Sequence, residues 1–247
     1  MKALIISALL VSVTPALVCQ DAEQKGISAD EVIGRMFARD VQRETLSGGY
    51  SGNRRYLLEN DRLHRRAELV AEVYCASDGT KHFEVVSEMG WSSANKLVLR
   101  KMLESESEIS TRAIRPKTRL TDENYAFRML GTEIVEGRPA YVISVVPKRR
   151  DKYLMEGRIW VDASDYALVR AEGKSASNPS LWTRRIHFVQ RYKKNGEFWF
   201  PVSTNSITDA VFFGTTYVSI AYSDYVPNTT DSASEQASMK EITYANH

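Results

Sequence analysis

The sequence has few cysteines and histidines, and it lacks the compact motifs of the common enzyme and metal-site classes. Its two cysteines, Cys19 and Cys75, form no C-x-x-C pair, and its four histidines include no H-E-x-x-H unit, so the usual zinc-site patterns are missing. The G-x-S-x-G, G-x-x-x-x-G-K-S/T and G-x-G-x-x-G motifs are also missing, which removes the local signatures of α/β-hydrolases and nucleotide-binding proteins. We therefore predict no enzyme, no metal and no cofactor. A hydrolase with catalytic residues dispersed along the chain is the less favoured alternative.

The sequence also lacks a strong charge of either sign. Its 33 lysines and arginines against 31 aspartates and glutamates give a net charge of +2, which offers no global electrostatic argument for nucleic-acid binding. The basic segments 112–119 and 148–152 contain no aromatic residues on which bases could stack. We predict solvated segments there and no nucleic-acid partner. The 148–152 loop also suits contact with anionic lipid or an acidic protein.

The long hydrophobic run of a membrane helix is missing as well. Lys2 precedes the uncharged apolar residues 3–13, and this order predicts a secretory signal over residues 1–19. A lipoprotein signal would place Cys19 directly after the cleavage site, but a bulky valine precedes it, which favours soluble export over a lipid anchor. With the signal removed, Cys75 is the remaining cysteine, so no internal disulfide can form and the core must supply the stability. We predict that Cys75 is buried and unreactive.

Most of the chain has the pattern of half-buried antiparallel strands. In residues 63–76, apolar and polar side chains alternate, so one face contacts an apolar interior and the other faces water. Residues 153–173 predict a hairpin with a polar turn at 162–165. Both faces of this hairpin are apolar, so either one suits the interior. The predicted strands are 50–58, 63–76, 81–88, 125–135, 138–146, the two strands of the 153–173 hairpin, 181–194, 197–205, 206–213 and 215–225.

Two amphipathic helices are predicted in addition, one before the first strand and one between the third and fourth strands. Ser28 with Glu31 forms a capping box that begins a helix over residues 28–43, and Gly48-Gly49 follows its end. A second helix is predicted over residues 93–107. Because each helix has an apolar face, each must lie on an apolar surface. The apolar face of the first helix contains Val32, Ile33, Met36, Phe37 and Val41.

Together these elements predict a mainly β protein. We expect an antiparallel, incomplete (half) β-barrel of about ten strands, with two amphipathic helices on its concave face. A closed, lipocalin-like barrel is the alternative, and it would need no helical plug. The expected plan is a signal peptide at 1–19, one half-barrel domain at 24–226 and a loose tail at 227–247.

The residues Gly157-Arg158-Ile159-Trp160-Val161-Asp162, followed by Ala167-Leu168-Val169-Arg170, resemble a family pattern. With the signal and the first helix, they look like the bacterial outer-membrane lipoprotein-sorting proteins, the LolA-like carriers. The supporting stretches are 54–56, 124–127, 131–147, 198–201 and 220–225, and the resemblance spans residues 28–226. It implies a half-barrel with a helical lid over an apolar cavity, which in the carriers shelters lipoprotein acyl chains crossing the periplasm. The same fold also serves stress sensors and membrane-anchored receptors, and no functional residue is transferred from the family.

The resemblance and the apolar inner surface together predict a periplasmic carrier. Its expected ligands are lipid acyl chains or lipoproteins, and a membrane-bound donor or acceptor protein is a further expected partner. The expected process is lipoprotein sorting or lipid transfer. A periplasmic sensor that binds a partner protein is the alternative, and a filled, dry core is the alternative for the same apolar residues. The identity of the lipid load stays open. The candidate cavity-lining residues are Leu69, Ala71, Val73, Phe83, Val85, Leu97, Val98, Met102, Ile186, Phe188 and Tyr192.

Overall fold

The computed structural model describes residues 26–178, 186–210 and 214–228. Within them, ten strands form one antiparallel sheet that is not closed, and helices are inserted near the N-terminus and between the third and fourth strands. The prediction of a mainly β half-barrel with helices is therefore confirmed. The predicted signal at 1–19 and nearly all of the predicted tail at 227–247 lie outside the described residues.

The elements follow one another in a simple order. The sheet has the spatial order β3-β2-β1-β10-β9-β8-β7-β6-β5-β4, so β3 and β4 form its two edges. Helix α1 precedes the sheet, and the other helical elements lie between these edge strands in the chain. The bounds are α1 Ala29–Ser47, β1 Gly49–Asn60, β2 Arg65–Ala76, β3 Lys81–Gly90, α2 Ser92–Ala94, a π-helical turn Asn95–Leu99, α3 Arg100–Ser110, α4 Arg115–Thr118, β4 Tyr125–Val135, β5 Arg138–Pro147, β6 Met155–Asp162, β7 Leu168–Ser175, β8 His187–Asn195, β9 Phe198–Ala210 and β10 Gly214–Pro227.

Helix α1 begins as the capping signal predicts but extends further. The Ser28 hydroxyl accepts a hydrogen bond from the backbone N–H of Glu31 at 3.1 Å, and Gly48 ends the helix with a left-handed φ of 57°. The predicted end at residue 43 is one turn too early. Phe37 and Val41 were expected on the apolar face, but they are 38% and 41% exposed. The C-terminal half of α1 therefore does not pack on the sheet as its N-terminal half does.

The second helical region differs from a regular helix in one turn. Its predicted apolar face included Leu97 and Val98, yet Leu97 is 67% exposed and Val98 is also exposed. The reason is the π-helical turn Asn95–Leu99, which inserts one residue and rotates the face that follows. Ala94 and Leu99, five positions apart, are buried instead, together with Leu103.

The strands confirm the alternation with one correction. In β2 the residues Ala67, Leu69, Ala71, Val73 and Cys75 are all buried. Segments 197–205 and 206–213 were predicted as two strands, but one strand, β9, runs through residues 198–210. No turn separates them because β9 pairs without a break with β10 over Ser203–Ala210.

One face of the sheet carries both helical regions, and we call it the inner face. Residues directly opposite each other in neighbouring antiparallel strands share a face. The strand pairing therefore defines a row of residues across the inner face, with one residue from each strand. The two residues at the centre of this row, Thr204 and Gln190, are polar. In spatial order the row contains Glu88, Leu69, Tyr56, Ile220, Thr204, Gln190, Ala171, Ile159, Ile143 and Met129.

The polar centre of the row separates two apolar clusters on the inner face. The α1 cluster joins the N-terminal half of α1 to β4–β7, and the α3 cluster joins α2, the π-helical turn and α3 to β1, β2 and β10. The 153–173 hairpin places Ile159, Val161 and Ala171 in the α1 cluster. Trp160 lies in a smaller cluster with Ala140 and Val142, which settles the orientation of the hairpin: the face of Ile159 points inward.

Candidate functional site beneath helix α1

Two cavities lie along helix α1, one beside each half of the helix. The large cavity has a volume of about 1040 Å³ and contacts α1 from Asp30 to Phe37. The small cavity has a volume of about 420 Å³ and contacts α1 from Asp40 to Ser47. Arg115 lines both cavities. The helix therefore borders both spaces, which lie next to each other at this arginine.

The large cavity has mixed walls. Its apolar part comes from α1, the segment before β4 and the first residues of β4. Charged side chains of the connector 112–123 form much of the remaining wall. The apolar and aromatic lining residues are Ile33, Phe37, Pro116, Leu120, Tyr125, Ala126 and Phe127.

The small cavity has a more aromatic wall. The hairpin between β8 and β9 contributes Phe198, Trp199, Phe200 and Pro201, and Tyr192 and Tyr50 face the same space. Phe200 stacks on Tyr225 with ring centroids 4.2 Å apart, and Tyr50 meets Phe200 edge-on at 5.4 Å. Such contacts stabilise a rigid aromatic surface.

The C-terminal half of α1 is attached mainly by charged groups. All of the buried apolar residues of α1 (Ala29, Val32, Ile33 and Met36) precede Phe37. Further along the helix, Glu44 pairs with Arg115 and Arg119, and Arg43 donates to the carbonyl of Asp165. The connector 112–119 is therefore bound to α1 by ion pairs, and the prediction that it is merely solvated is wrong.

A partly buried charged group, in which Arg54 alone is fully buried, lies between the small cavity and the α3 cluster. Glu106 of α3 accepts from Arg54 of β1 at 2.5 Å and from Lys81 of β3 at 2.8 Å. The guanidinium of Arg54 also lies over the rings of Phe83 and Tyr222, at 4.9 and 5.0 Å. This group links α3 to the sheet by charge-assisted hydrogen bonds.

Burial and charge shift the pKa values of this group. Burial alone would raise the pKa of Glu106, but Lys81 and Arg54 outweigh it and hold the pKa at about 2, below the ordinary 4.5. Burial raises the pKa of Tyr56, Tyr192 and Tyr222. These tyrosines therefore remain neutral hydroxyl groups around the ionised Glu106.

The lowered pKa of Glu106 predicts a specific acid sensitivity. A carboxylate whose folded pKa lies below its unfolded pKa stabilises the fold above the unfolded value, and this stabilisation is lost as the pH falls toward the folded value. We expect the difference in free energy of unfolding between the wild type and Glu106→Gln to shrink from pH about 4.5 to about 2. Urea denaturation at a series of pH values measures it. A difference that stays constant over this range would contradict the assignment.

The structure distributes the predicted lining residues over several environments. Leu69 and Ala71 are fully buried in the α3 cluster, with Phe83, Val85 and Met102 at its margin. Val73 is fully buried, Phe188 packs against the α1 cluster, and Ile186 is half-buried just before β8. Of the predicted residues, Tyr192 lines the small cavity. Leu97 and Val98 are exposed.

Several cavity residues were missed from the sequence. The Phe198–Pro201 stretch entered only through the family resemblance, although its aromatic content next to the Asn195-Gly196 turn is a usable signal. The sequence gives no such signal for Lys81, Arg54 and Glu106. Each looks like an ordinary charged residue in its own element, and the three come together only in the folded chain.

Neither a metal centre nor a membrane helix is found in the described part of the chain. Among these residues, no three His, Cys, Asp or Glu side chains are grouped so that they could hold a metal ion. None of the described helices has the length and apolar character needed to cross a membrane.

The chain resembles solved structures of LolA-superfamily and lipoprotein-sorting proteins. An outer membrane lipoprotein-sorting protein domain from Vibrio parahaemolyticus is 16% identical, with a TM-score of 0.39, over 79% of this chain and 92% of that one. A LolA superfamily protein from Nitrosomonas europaea is 12% identical, with a TM-score of 0.36, over 81% and 93%. A chain of the MucA/MucB complex of Pseudomonas aeruginosa is 11% identical, with a TM-score of 0.21, over 77% and 99%.

The family of the chain follows from a direct sequence match. No curated protein shows significant similarity to the chain. Residues 84–226, more than half of its length, match the model of a family of unknown function, DUF5686. The chain belongs to this DUF5686 family.

Proposed function

We propose that the protein is a periplasmic carrier that binds the acyl chains of a lipid or lipoprotein beneath helix α1. The observation that supports this most directly is the attachment of α1. Its N-terminal half is anchored by buried apolar residues, whereas its C-terminal half borders the small cavity and is attached through Glu44 and Arg43. A helix attached in this way can lift at one end while the other end stays fixed.

The magnitudes favour displacement by an apolar ligand. Glu44, Arg115 and Arg119 are all partly exposed, and exposed ion pairs contribute roughly 0.2–1 kcal/mol each. Burial of a chain of about 15 methylenes contributes on the order of 12 kcal/mol gross, at about 0.8 kcal/mol per CH₂. Opening this end of α1 would therefore consume a small part of the binding free energy, and acceptor groups that bind the chain better could still extract it.

The dimensions and the walls suit an acyl chain. Ligand cavities in proteins span roughly 300–1,000 Å³, and the two cavities beside α1 cover this range with about 420 and 1040 Å³. In this proposal Phe83, Val85 and Phe188, which are half-buried at the cluster margins, form walls that become accessible as the helices move. The buried Leu69, Ala71 and Val73 form the floor beneath them.

A pair of variants on α1 tests the binding site. Phe37 lines the large cavity, whereas Val41, one turn later and equally exposed, lines none of the described cavities. We expect Phe37→Gln to weaken binding of a fluorescent fatty acid about tenfold, because an aromatic contact is worth roughly 1.5 kcal/mol. Val41→Gln should bind as the wild type does.

The outcomes of this test separate the carrier from its alternative. Equal loss in both variants would place the ligand elsewhere. If the protein purified from its own periplasm carries no lipid and the wild type takes up no fatty acid, the carrier proposal is wrong, and a partner-binding module replaces it. Glutamate at the fully buried Leu69 is a poor probe, since it would unfold the core.

Export is tested by the mass of the native N-terminus. Cleavage near residues 19–23 is expected, with Cys19 removed or unmodified. A diacylated Cys19 would instead make the protein a membrane-anchored receptor. An uncleaved chain in the cytoplasm would contradict the periplasmic location.

A further inference from the structure

We propose that Lys81 binds a carboxylate head group, so that the small cavity accepts a single-chain carboxylate amphiphile such as a long-chain fatty acid. This inference rests on the proposed function for the tail and adds the chemistry of the head. It starts from the charges around Glu106, because a partly buried group that contains two cations and one carboxylate has one positive charge in excess.

Arg54 neutralises Glu106 from the core side. Its side chain is 1% exposed, and it is held between the rings of Phe83 and Tyr222. It does not line the small cavity, and its Nε has no hydrogen-bond partner among the described residues. Arginine cannot lose its proton in such a site. Arg54 therefore retains a full positive charge beside Glu106 whether or not a ligand is present.

Lys81 is the member of the group that a ligand can reach. Its side chain is 25% exposed and lines the small cavity. Within the described chain, Nζ donates to Glu106 at 2.8 Å, and an ammonium group has three donors. Two N–H donors are therefore left for a ligand. Because Glu106 already shares its charge with Arg54, the charge of Lys81 is only partly compensated.

The other carboxylates of the small cavity are already paired. Asp40 lies 3.2 Å from Arg43, and Glu44 pairs with Arg115. Positive charge in excess thus lies at Lys81, and also at Arg115, which shares Glu44 with Arg119; the Lys81→Met variant distinguishes the two positions. An incoming carboxylate would complete a group of two cations and two anions, with charge-assisted hydrogen bonds from Nζ.

The walls next to Lys81 suit a single apolar tail. Tyr50, Tyr192 and Phe200 border the same cavity and offer ring faces rather than charges. A volume of about 420 Å³ lies at the lower end of the range for ligand cavities. A single chain suits this space better than the two or three chains of a membrane lipid do, and the end of its tail would pass Arg115 into the large cavity, where Phe37 can contact it.

The experiment compares three ligands with the same number of carbon atoms. Dodecanoate, dodecyl phosphate and dodecanol compete with a fluorescent fatty acid for the wild-type protein. We expect dodecanoate to bind about tenfold more tightly than dodecanol, because its head gains a charge-assisted hydrogen bond. Equal affinities for the acid and the alcohol would overturn the head-group site and leave the proposed function intact. Tighter binding of dodecyl phosphate would overturn the assignment of a carboxylate, and binding of none of the three would contradict the proposed function itself.

Two matched variants test whether Lys81 is the residue that causes the preference for dodecanoate over dodecanol. Lys81→Met keeps the apolar stem and removes the charge, so we expect it to bind dodecanoate and dodecanol equally. Lys101→Met removes an exposed lysine of α3 that pairs with Glu104, and it should keep the wild-type preference. If circular dichroism shows that Lys81→Met does not fold, the comparison of the ligands on the wild type and on Lys81→Arg still decides whether the head-group site exists. A preference retained in folded Lys81→Met would overturn the proposal.

Discussion

Replacement of Glu106 by glutamine is expected to lower the free energy of unfolding by about 3 kcal/mol, since removing one partner of a buried ion pair leaves an uncompensated charge. The stranded charge is that of Arg54, whose side chain is 1% exposed. The linkage of α3 to β1 and β3 through Arg54 and Lys81 is weakened at the same time. The effect is large because three elements distant in sequence depend on one carboxylate.

Urea denaturation at pH 7 measures this loss, and Glu104→Gln is the matched control. Glu104 lies on the same helix, two residues before Glu106, and pairs with Lys101 at the surface. Exposed pairs of this kind contribute roughly 0.3–0.5 kcal/mol, so the control should unfold close to the wild type. Similar transition midpoints for both variants would show that the buried group contributes no more than a surface pair.

Replacement of Asp162 by alanine is expected to lower the free energy of unfolding by about 2–3 kcal/mol, because buried donors lose their acceptor. Asp162 is buried at the end of β6 and accepts from the backbone N–H groups of Ser164 and Asp165 at 2.9 and 2.8 Å. It also accepts two hydrogen bonds from the guanidinium of Arg138, at 2.5 and 2.9 Å. The carboxylate thus forms the β6–β7 turn and ties it to β5.

Ser164→Ala is the control for this turn. Ser164 is exposed, and only its backbone N–H takes part in the turn, so the variant should stay within about 0.5 kcal/mol of the wild type. The two unfolding midpoints in urea provide the comparison. Equal midpoints for Asp162→Ala and Ser164→Ala would mean that water replaces the side-chain bonds without loss.

The sequence by itself determined the elements whose signals are local. Strand β2 alternates because neighbouring side chains of a strand point to opposite faces, and from Ala67 to Cys75 its predicted apolar face is buried. The Ser28 cap, the Gly48 stop and the 162–165 turn depend on interactions over a few residues, and the structure contains all three. The mainly β class with about ten strands follows from many such signals acting together, whereas only the strand pairing shows that the edges β3 and β4 do not join.

Only the tertiary structure decided the features that join distant residues. The π-helical turn changed which residues of the second helical region face the sheet, and no helical periodicity in the sequence marks an inserted residue. Both faces of the 153–173 hairpin are apolar, so the orientation follows only from the fold, in which Ile159 and Val161 join the α1 cluster. Arg54, Lys81 and Glu106 are separated by up to 52 positions, and a charged residue reveals its partner only when the chain is folded. Their burial together arises because the sheet brings β1 beside β2, and β2 beside β3, beneath α3, which no local pattern encodes.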